Sequence, residues 1–247
     1  MPLPVFDVVR GSFLDGEGIR TVIFLQGCPL KCLWCHNPES QSSSPLRKIR
    51  YYTTDELHEL ILRDKSYYQV SNGGVTFSGG EPLLHIQALK DLVKALWEDG
   101  VSVAFDTSGY FDCEAFERDL LPHTRDLLYD LKIMDVSAHR QATGQNNDVI
   151  LQNLRRLAET SVHIRIRIPL IPGITATNEN LRAIAQFMKS LGLRNYDLIP
   201  YNPSCIDKLK KMGLTPDSSL PEQPMSRAEE LQCKEIMDHE FSLTPCR

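Results

Sequence analysis

The sequence predicts an α/β fold on a mainly parallel sheet, either an open doubly wound sheet or an incomplete (β/α)6 barrel of parallel strands with outer helices. Three observations predict it. Apolar strand-like runs alternate with helix-like stretches along the chain, the pattern of right-handed βαβ units. Six such units can be counted, short of the eight in a closed barrel of roughly 250 residues, although the chain has 247. No 20–50-residue repeat and no shift in composition marks a second domain, so residues 1–247 read as one domain.

The elements follow in order. Residues 19–25 form the first β-rich run. Residues 53–69 read as a helix, with Thr53 and Glu56 at the spacing of a capping box. Residues 74–77 are a short strand running into Ser78-Gly79-Gly80-Glu81-Pro82, and 86–98 an amphipathic helix stopped by Gly100. Strands are expected at 101–105, 127–131, 162–168 and 196–199, and helices at 114–121, 149–159, 179–191 and 227–239. Residues 37–45 and the proline-rich stretch 201–224 read as loop and surface excursion. In either architecture the chemistry belongs at the C-terminal ends of the strands, and every polar cluster singled out below lies at such an end.

Charge narrows the function classes. Lys and Arg number 27 against 32 Asp and Glu, a net charge of −5, which argues against nucleic acid as partner. No apolar run approaches the roughly 20 residues that cross a bilayer, and Met1-Pro2-Leu3-Pro4-Val5 has neither the basic nor the apolar region of an export signal. The expected location is the cytoplasm, with no membrane partner. Seven cysteines, an odd number, then read as reduced thiols or metal ligands.

Three of the seven lie in Gly27-Cys28-Pro29-Leu30-Lys31-Cys32-Leu33-Trp34-Cys35-His36-Asn37, a C-x3-C-x2-C spacing on a loop that Gly27 and Pro29 allow to wrap. Three thiolates can hold a [4Fe–4S] cluster by three irons and leave the fourth for a non-protein ligand. The same thiolates with His36 could close a structural zinc site, and three unliganded cysteines in a turn are the plain alternative. Zinc ligands usually come as two separated pairs, and no second pair is present; Cys113, Cys205, Cys233 and Cys246 are scattered and read as ordinary thiols.

Other residues carry weaker signals. Gly79-Gly80 follows a strand, so it reads as a βα turn with positive φ, or as a place where a ligand meets the backbone; Glu81 offers an acceptor to an ammonium group. Asp106-Thr107 and Asp130 end neighbouring strands, where they could be surface groups or pair with Lys132. His163-Ile164-Arg165-Ile166-Arg167 alternates with its basic residues on one face. On a strand covered on both sides, those guanidinium groups would need anions.

Asp15-Gly16-Glu17-Gly18-Ile19-Arg20, the cysteine loop continued to Asn37-Pro38-Glu39-Ser40, and Gly73-Gly74-Val75-Thr76-Phe77-Ser78-Gly79-Gly80-Glu81-Pro82 together resemble the radical S-adenosylmethionine superfamily. More closely, they resemble its glycyl-radical-enzyme activating enzymes. The likeness is collinear from about Phe13 to Tyr201. It implies the incomplete (β/α)6 barrel, a single [4Fe–4S] cluster on Cys28, Cys32 and Cys35, and S-adenosylmethionine as cofactor. The implied function is an oxidoreductase, working anaerobically, that reductively cleaves S-adenosylmethionine to install a glycyl radical on a partner enzyme. The partner's loop would enter the open side of the barrel.

The ferredoxin-like insertion of longer family members is absent, because only Gln41-Ser42-Ser43-Ser44-Pro45 stands in its place. By the same resemblance, Trp34, Asn37, Gly79, Gly80, Glu81, Lys132 and Arg167 are cofactor-binding. Asp106, Thr107 and Asp130 would hold a monovalent cation beside the substrate carboxylate. Two positions depart from the pattern. Asn202 stands where compact members carry a histidine beside the adenine, and Glu17 stands where proline is usual.

Flavodoxin or ferredoxin is the implied reductant, and the chain is expected to be a monomer. The partner stays open among pyruvate formate-lyase, diol or amine lyases and decarboxylases, and the cysteine-loop wording looks more like activases of the lyase and dehydratase groups than of pyruvate formate-lyase itself. The rival readings are a radical S-adenosylmethionine enzyme acting on a small molecule or peptide, and a zinc-binding interaction module.

Overall fold

A computed structural model describes residues 1–41 and 49–243. Cys246 and the 42–45 part of the expected loop lie outside the described residues. Eight strands form an open sheet: β1 (Leu3–Ser12), β2 (Arg20–Leu25), β3 (Arg50–Tyr52), β4 (Gly74–Gly79), β5 (Ser102–Thr107), β6 (Asp126–Asp130), β7 (His163–Leu170) and β8 (Tyr196–Pro200). Their order is β3-β1-β2-β4-β5-β6-β7-β8. The pairs β2/β4, β4/β5, β5/β6 and β7/β8 are parallel, whereas β1 pairs antiparallel with both β2 and β3.

All six expected strands are present, and β1 and β3 are two more. Pro2 and Pro4 obscure the alternation of β1, whose outer half is exposed, and β3 is only three residues long. The edge strand β3 and the antiparallel β1, which β3 covers only over Leu3–Val5, lack the near-continuous apolar run that marks a covered parallel strand.

The helices are α1 (Thr54–Leu62), α2 (Lys65–Ser71), α3 (Ile86–Glu98), α4 (Cys113–Asp119), α5 (Val136–Thr143), α6 (Asp148–Leu157), α7 (Asn178–Ser190), α8 (Ser204–Lys211) and α9 (Arg227–Ser242). The capping box is formed: Thr53 accepts from the Glu56 N–H, and Glu56 reaches back to the Thr53 N–H. The single helix expected over 53–69 is interrupted at Asp64, and the reason is electrostatic. Its carboxylate leaves the helical surface to accept from Arg10 Nε at 2.7 Å and Thr21 Oγ1 at 2.8 Å. Stretch 201–224 is not irregular throughout, since it contains α8. Helix α5 is short and mostly polar on its outer side, so its periodicity is faint.

The chain divides into two compact units. The first comprises Met1–Pro29, Glu39–Tyr129 and Thr160–Ile164. Its floor is organised by Arg20, fully buried at the start of β2. The guanidinium donates to Thr76 Oγ1 at 2.6 Å, to the carbonyls of Val75 at 2.6 Å and Ser102 at 3.1 Å, and to the Glu17 carbonyl at 3.2 Å. Burial lowers its pKa to about 10, so it stays charged at neutral pH. The Asp-Gly-Glu-Gly-Ile-Arg motif is therefore a structural anchor: at Gly18 (φ +73°) a Cβ would lie 2.4 Å from the Ser71 carbonyl oxygen.

The second unit comprises Leu30–Pro38, Asp130–Glu159 and Arg165–Arg247. Its core gathers Trp34, Ile133, Ala142, Ile171, Tyr201, Cys205, Ile206 and Leu220.

Candidate functional site

In the first unit, β2 delivers the chain to Gln26-Gly27-Cys28 and β4 delivers it to Ser78-Gly79-Gly80-Glu81. The two turns are knit through the backbone. Gly80 N–H donates to the Leu25 carbonyl at 2.9 Å, and Glu81 N–H to the Gly27 carbonyl at 2.8 Å. Both glycines are dictated by that approach. Gly79 sits at φ +114°, and a Cβ there would lie 2.4 Å from Leu25 backbone atoms. A Cβ on Gly80 would lie 2.0 Å from the Gly27 carbonyl oxygen and 3.2 Å from Cys28 Cβ. The glycine pair thus brings the Ser-Gly-Gly-Glu turn against the first cysteine. The start of the cysteine loop also meets its return, where Gly27 N–H donates to the Ser40 carbonyl at 3.0 Å and Gln26 Nε2 to the Glu39 carbonyl at 3.0 Å.

Glu81 behaves differently from an exposed acceptor. Its side chain is fully buried. One carboxylate oxygen accepts from Leu83 N–H at 3.1 Å and Thr107 Oγ1 at 2.8 Å. The other accepts from Ser108 N–H at 2.8 Å and Ser108 Oγ at 2.5 Å. Burial outweighs these four donors and pushes the carboxyl up to about 7. Glu81 ties the end of β4 to the end of β5. Thr107 is buried with it, and its hydroxyl also accepts from Gly109 N–H at 3.0 Å. Asp106 is half-buried on the other face of β5 and accepts from Ser78 Oγ at 2.8 Å. Ser78 belongs to the Ser-Gly-Gly-Glu-Pro motif and carries no separate signal of its own in the sequence.

In the second unit, the rest of the cysteine loop is held by α5 and by the apolar core. Lys31 N–H donates to the Thr143 carbonyl at 2.7 Å and Leu33 N–H to the Ala142 carbonyl at 3.0 Å, so the amides flanking Cys32 meet the last turn of α5. Cys35 N–H closes a turn onto the Cys32 carbonyl at 3.2 Å. Trp34 is 4% exposed and belongs to the core; it fixes the loop between Cys32 and Cys35.

Asp130 pairs with the buried Lys132 at 2.6 Å. Along β7, Arg165 is exposed and pairs with Asp197 at 3.2 Å, whereas Arg167 is half-buried. Asn202 is exposed, and its Oδ1 accepts from Ser204 N–H at 2.9 Å, so its amide group remains as donor. Asn37 is half-buried, with its Oδ1 3.4 Å from Lys208 Nζ.

Cys28, Cys32 and Cys35 are half-buried, whereas Cys113, Cys205 and Cys233 are buried. Burial raises the thiol pKa of Cys205 and Cys233, as expected of inert core thiols. Among the described residues no three His, Cys, Asp or Glu side chains are gathered closely enough to hold a metal ion. The residues fit a cluster on other grounds. The donors are three soft thiols on one loop with closed ends, and the side-chain-free backbone of Gly80 lies against the first of them. Among the described residues no helix is long and apolar enough to cross a membrane.

Comparisons with known proteins give the family and the fold. The family model "4Fe-4S single cluster domain" matches residues 14–151. The chain is 38% identical over 208 residues to the pyruvate formate-lyase-activating enzyme of Staphylococcus epidermidis, covering 81% of this chain and 82% of that one. A crystal structure of a domain of pyruvate-formate lyase-activating enzyme from Bacteroides vulgatus superposes with a TM-score of 0.57 at 33% identity, covering 68% of this chain and 95% of that chain. A radical SAM methyltransferase from Sphaerobacter thermophilus, at 18% identity, shares the fold with a TM-score of 0.65 over 97% of this chain and 74% of that one.

Proposed function

Since the chain belongs to the family of pyruvate formate-lyase-activating enzymes, within the radical S-adenosylmethionine superfamily, we propose that the glycyl-radical enzyme it activates is a pyruvate formate-lyase. The chain is an activating enzyme with a [4Fe–4S] cluster and S-adenosylmethionine as its cofactors, and it installs a glycyl radical on a partner enzyme. When bound, the cluster supplies the one-electron reduction that cleaves S-adenosylmethionine, which leads to removal of a hydrogen atom from the partner's glycine.

The chain's own residues do the positioning. Cys28, Cys32 and Cys35 hold the cluster. Gly79 and Gly80 offer bare backbone beside Cys28, and this junction is the observation that carries the reading. Glu81 is buried and fully bonded, so its part is to fix that turn, and the ammonium of the cofactor falls to Asp106 and the turn's carbonyls. Arg167 is the arginine for the cofactor's carboxylate, because Arg165 faces solvent. Asn202 offers its amide N–H to a purine edge. Asp130 serves a monovalent cation or the cofactor's polar groups only alongside its partner Lys132. Trp34 and Asn37 act by shaping the loop.

The reductant is a flavodoxin or ferredoxin, the chain works as a monomer, and residues 1–247 act as one catalytic domain. Passage of the chain between the two units inside β7 and inside the cysteine loop, with no linker at either point, supports the last of these.

The test is electron paramagnetic resonance on candidate partners incubated with reduced protein and S-adenosylmethionine. A glycyl-radical doublet on pyruvate formate-lyase is expected. A doublet only on a diol or amine lyase or a decarboxylase would overturn the partner and leave the activase reading intact.

A further inference from the structure

Helix α8 and the exit of the cysteine loop are 172 residues apart in sequence, yet within the second unit they are joined. Lys208 Nζ donates to the His36 carbonyl and lies 3.4 Å from Asn37 Oδ1. These are the two residues that follow Cys35. The same helix presents Cys205 and Ile206 to the core that holds Trp34, which precedes Cys35. Just ahead of its N-cap Pro203, Asn202 Oδ1 accepts from Ser204 N–H. One short segment, 202–208, therefore begins at the residue offered to the adenine, packs on the loop's tryptophan and ends with a cation on the loop's exit. Lys210 and Lys211 on the same helix are exposed.

Resting on the cluster reading of the cysteine loop, we propose that Lys208 is a positioning residue for that loop. Its ammonium fixes the His36 carbonyl and the Asn37 side chain, and it adds a fixed positive charge next to Cys35. A charge-assisted hydrogen bond to a backbone carbonyl is among the stronger polar contacts. Groups behind the ligands orient a metal centre and tune its potential. Three thiolates make the loaded centre anionic, so a cation held beside it favours the reduced form. Loss of that cation moves the midpoint to a more negative value and lets Asn37 drift.

The experiment uses the reconstituted holoenzyme under argon: wild type, Lys208→Met, Lys208→Arg and Lys211→Met. The last removes the same charge from an exposed residue of the same helix. Potentiometric titration of the reduced cluster by electron paramagnetic resonance is followed by equilibrium binding of S-adenosylmethionine. The expected result is wild-type iron content in every variant, a more negative midpoint for Lys208→Met, and S-adenosylmethionine binding weakened about tenfold, the worth of one charge-assisted hydrogen bond. Lys208→Arg should recover most of both, and Lys211→Met should match wild type. Wild-type midpoint and affinity in Lys208→Met would overturn the proposal, as would an equal shift in Lys211→Met. A wild-type protein that takes up no iron would overturn the cluster reading as well, which separates the two failures.

Discussion

Replacing Glu81 by glutamine should remove a pH dependence from the stability of the fold. The carboxyl is fully buried, and its pKa stands at about 7 against an ordinary 4.5. The folded chain therefore keeps this proton over a range where the unfolded chain has released it. Stability from this group is complete below pH 4.5 and is lost as pH rises towards 7. The full effect is (7 − 4.5) times about 1.4 kcal/mol per unit, or roughly 3 kcal/mol, of which about 2.5 kcal/mol falls between pH 5 and pH 8. Glutamine mimics the protonated acid and does not titrate. Its amide faces the Leu83 and Ser108 N–H donors less well than two oxygens do, which adds a pH-independent cost of about 1–3 kcal/mol. Other titrating groups contribute equally to both proteins, and the two are compared at matched iron content, so the readout is the difference in melting temperature, variant minus wild type. At about 2–4 °C per kcal/mol for a chain of this size, that difference should rise by about 5–10 °C from pH 5 to pH 8. A difference that stays flat across this range would refute the desolvated, clamped carboxyl.

Further expectations concern the elements around it. Gly80→Ala places a Cβ 2.0 Å from the Gly27 carbonyl oxygen, so Cys28 must move; iron and sulfide analysis should show a clear fall in cluster content, and full loading would contradict the close junction. Arg20→Met strips four hydrogen bonds from a fully buried site and should lower stability by about 3–5 kcal/mol, read as a melting temperature lower by roughly 10 °C with no change in ligand affinity. Trp34→Phe should keep S-adenosylmethionine affinity within about threefold, whereas Trp34→Ala should cost about 3–5 kcal/mol of stability; a large affinity loss in Trp34→Phe would make the indole a ligand contact instead of a core anchor.

Local features were legible in sequence because their causes are local. The Thr53–Glu56 box, the Gly100 stop and the covered parallel strands each announce themselves within a few residues, and so does the loop of three cysteines. The glycine pair was readable as a turn, but its target was not: the Gly27 carbonyl and Cys28 lie more than 50 residues away. The same holds for Glu81, whose partners Thr107 and Ser108 arrive on the next strand and turn an apparent ligand acceptor into a buried tie. Helix α5 carries too faint an apolar stripe to be picked out, yet its last carbonyls hold the amides on either side of Cys32. Arg165 and Arg167 share one face by alternation, and only the fold decides which is shielded, with Arg165 going to Asp197 at the surface.

The most direct test of the account is quantification of 5′-deoxyadenosine and methionine after chemically reduced, iron-reconstituted protein meets S-adenosylmethionine under argon. Wild type and Cys233→Ala, which removes a buried thiol of α9, should form both products in equal amounts. Cys28→Ala, Cys32→Ala and Cys35→Ala should each form neither. Cleavage that survives in any of those three variants, or wild-type protein that carries zinc and no iron or sulfide, would contradict it.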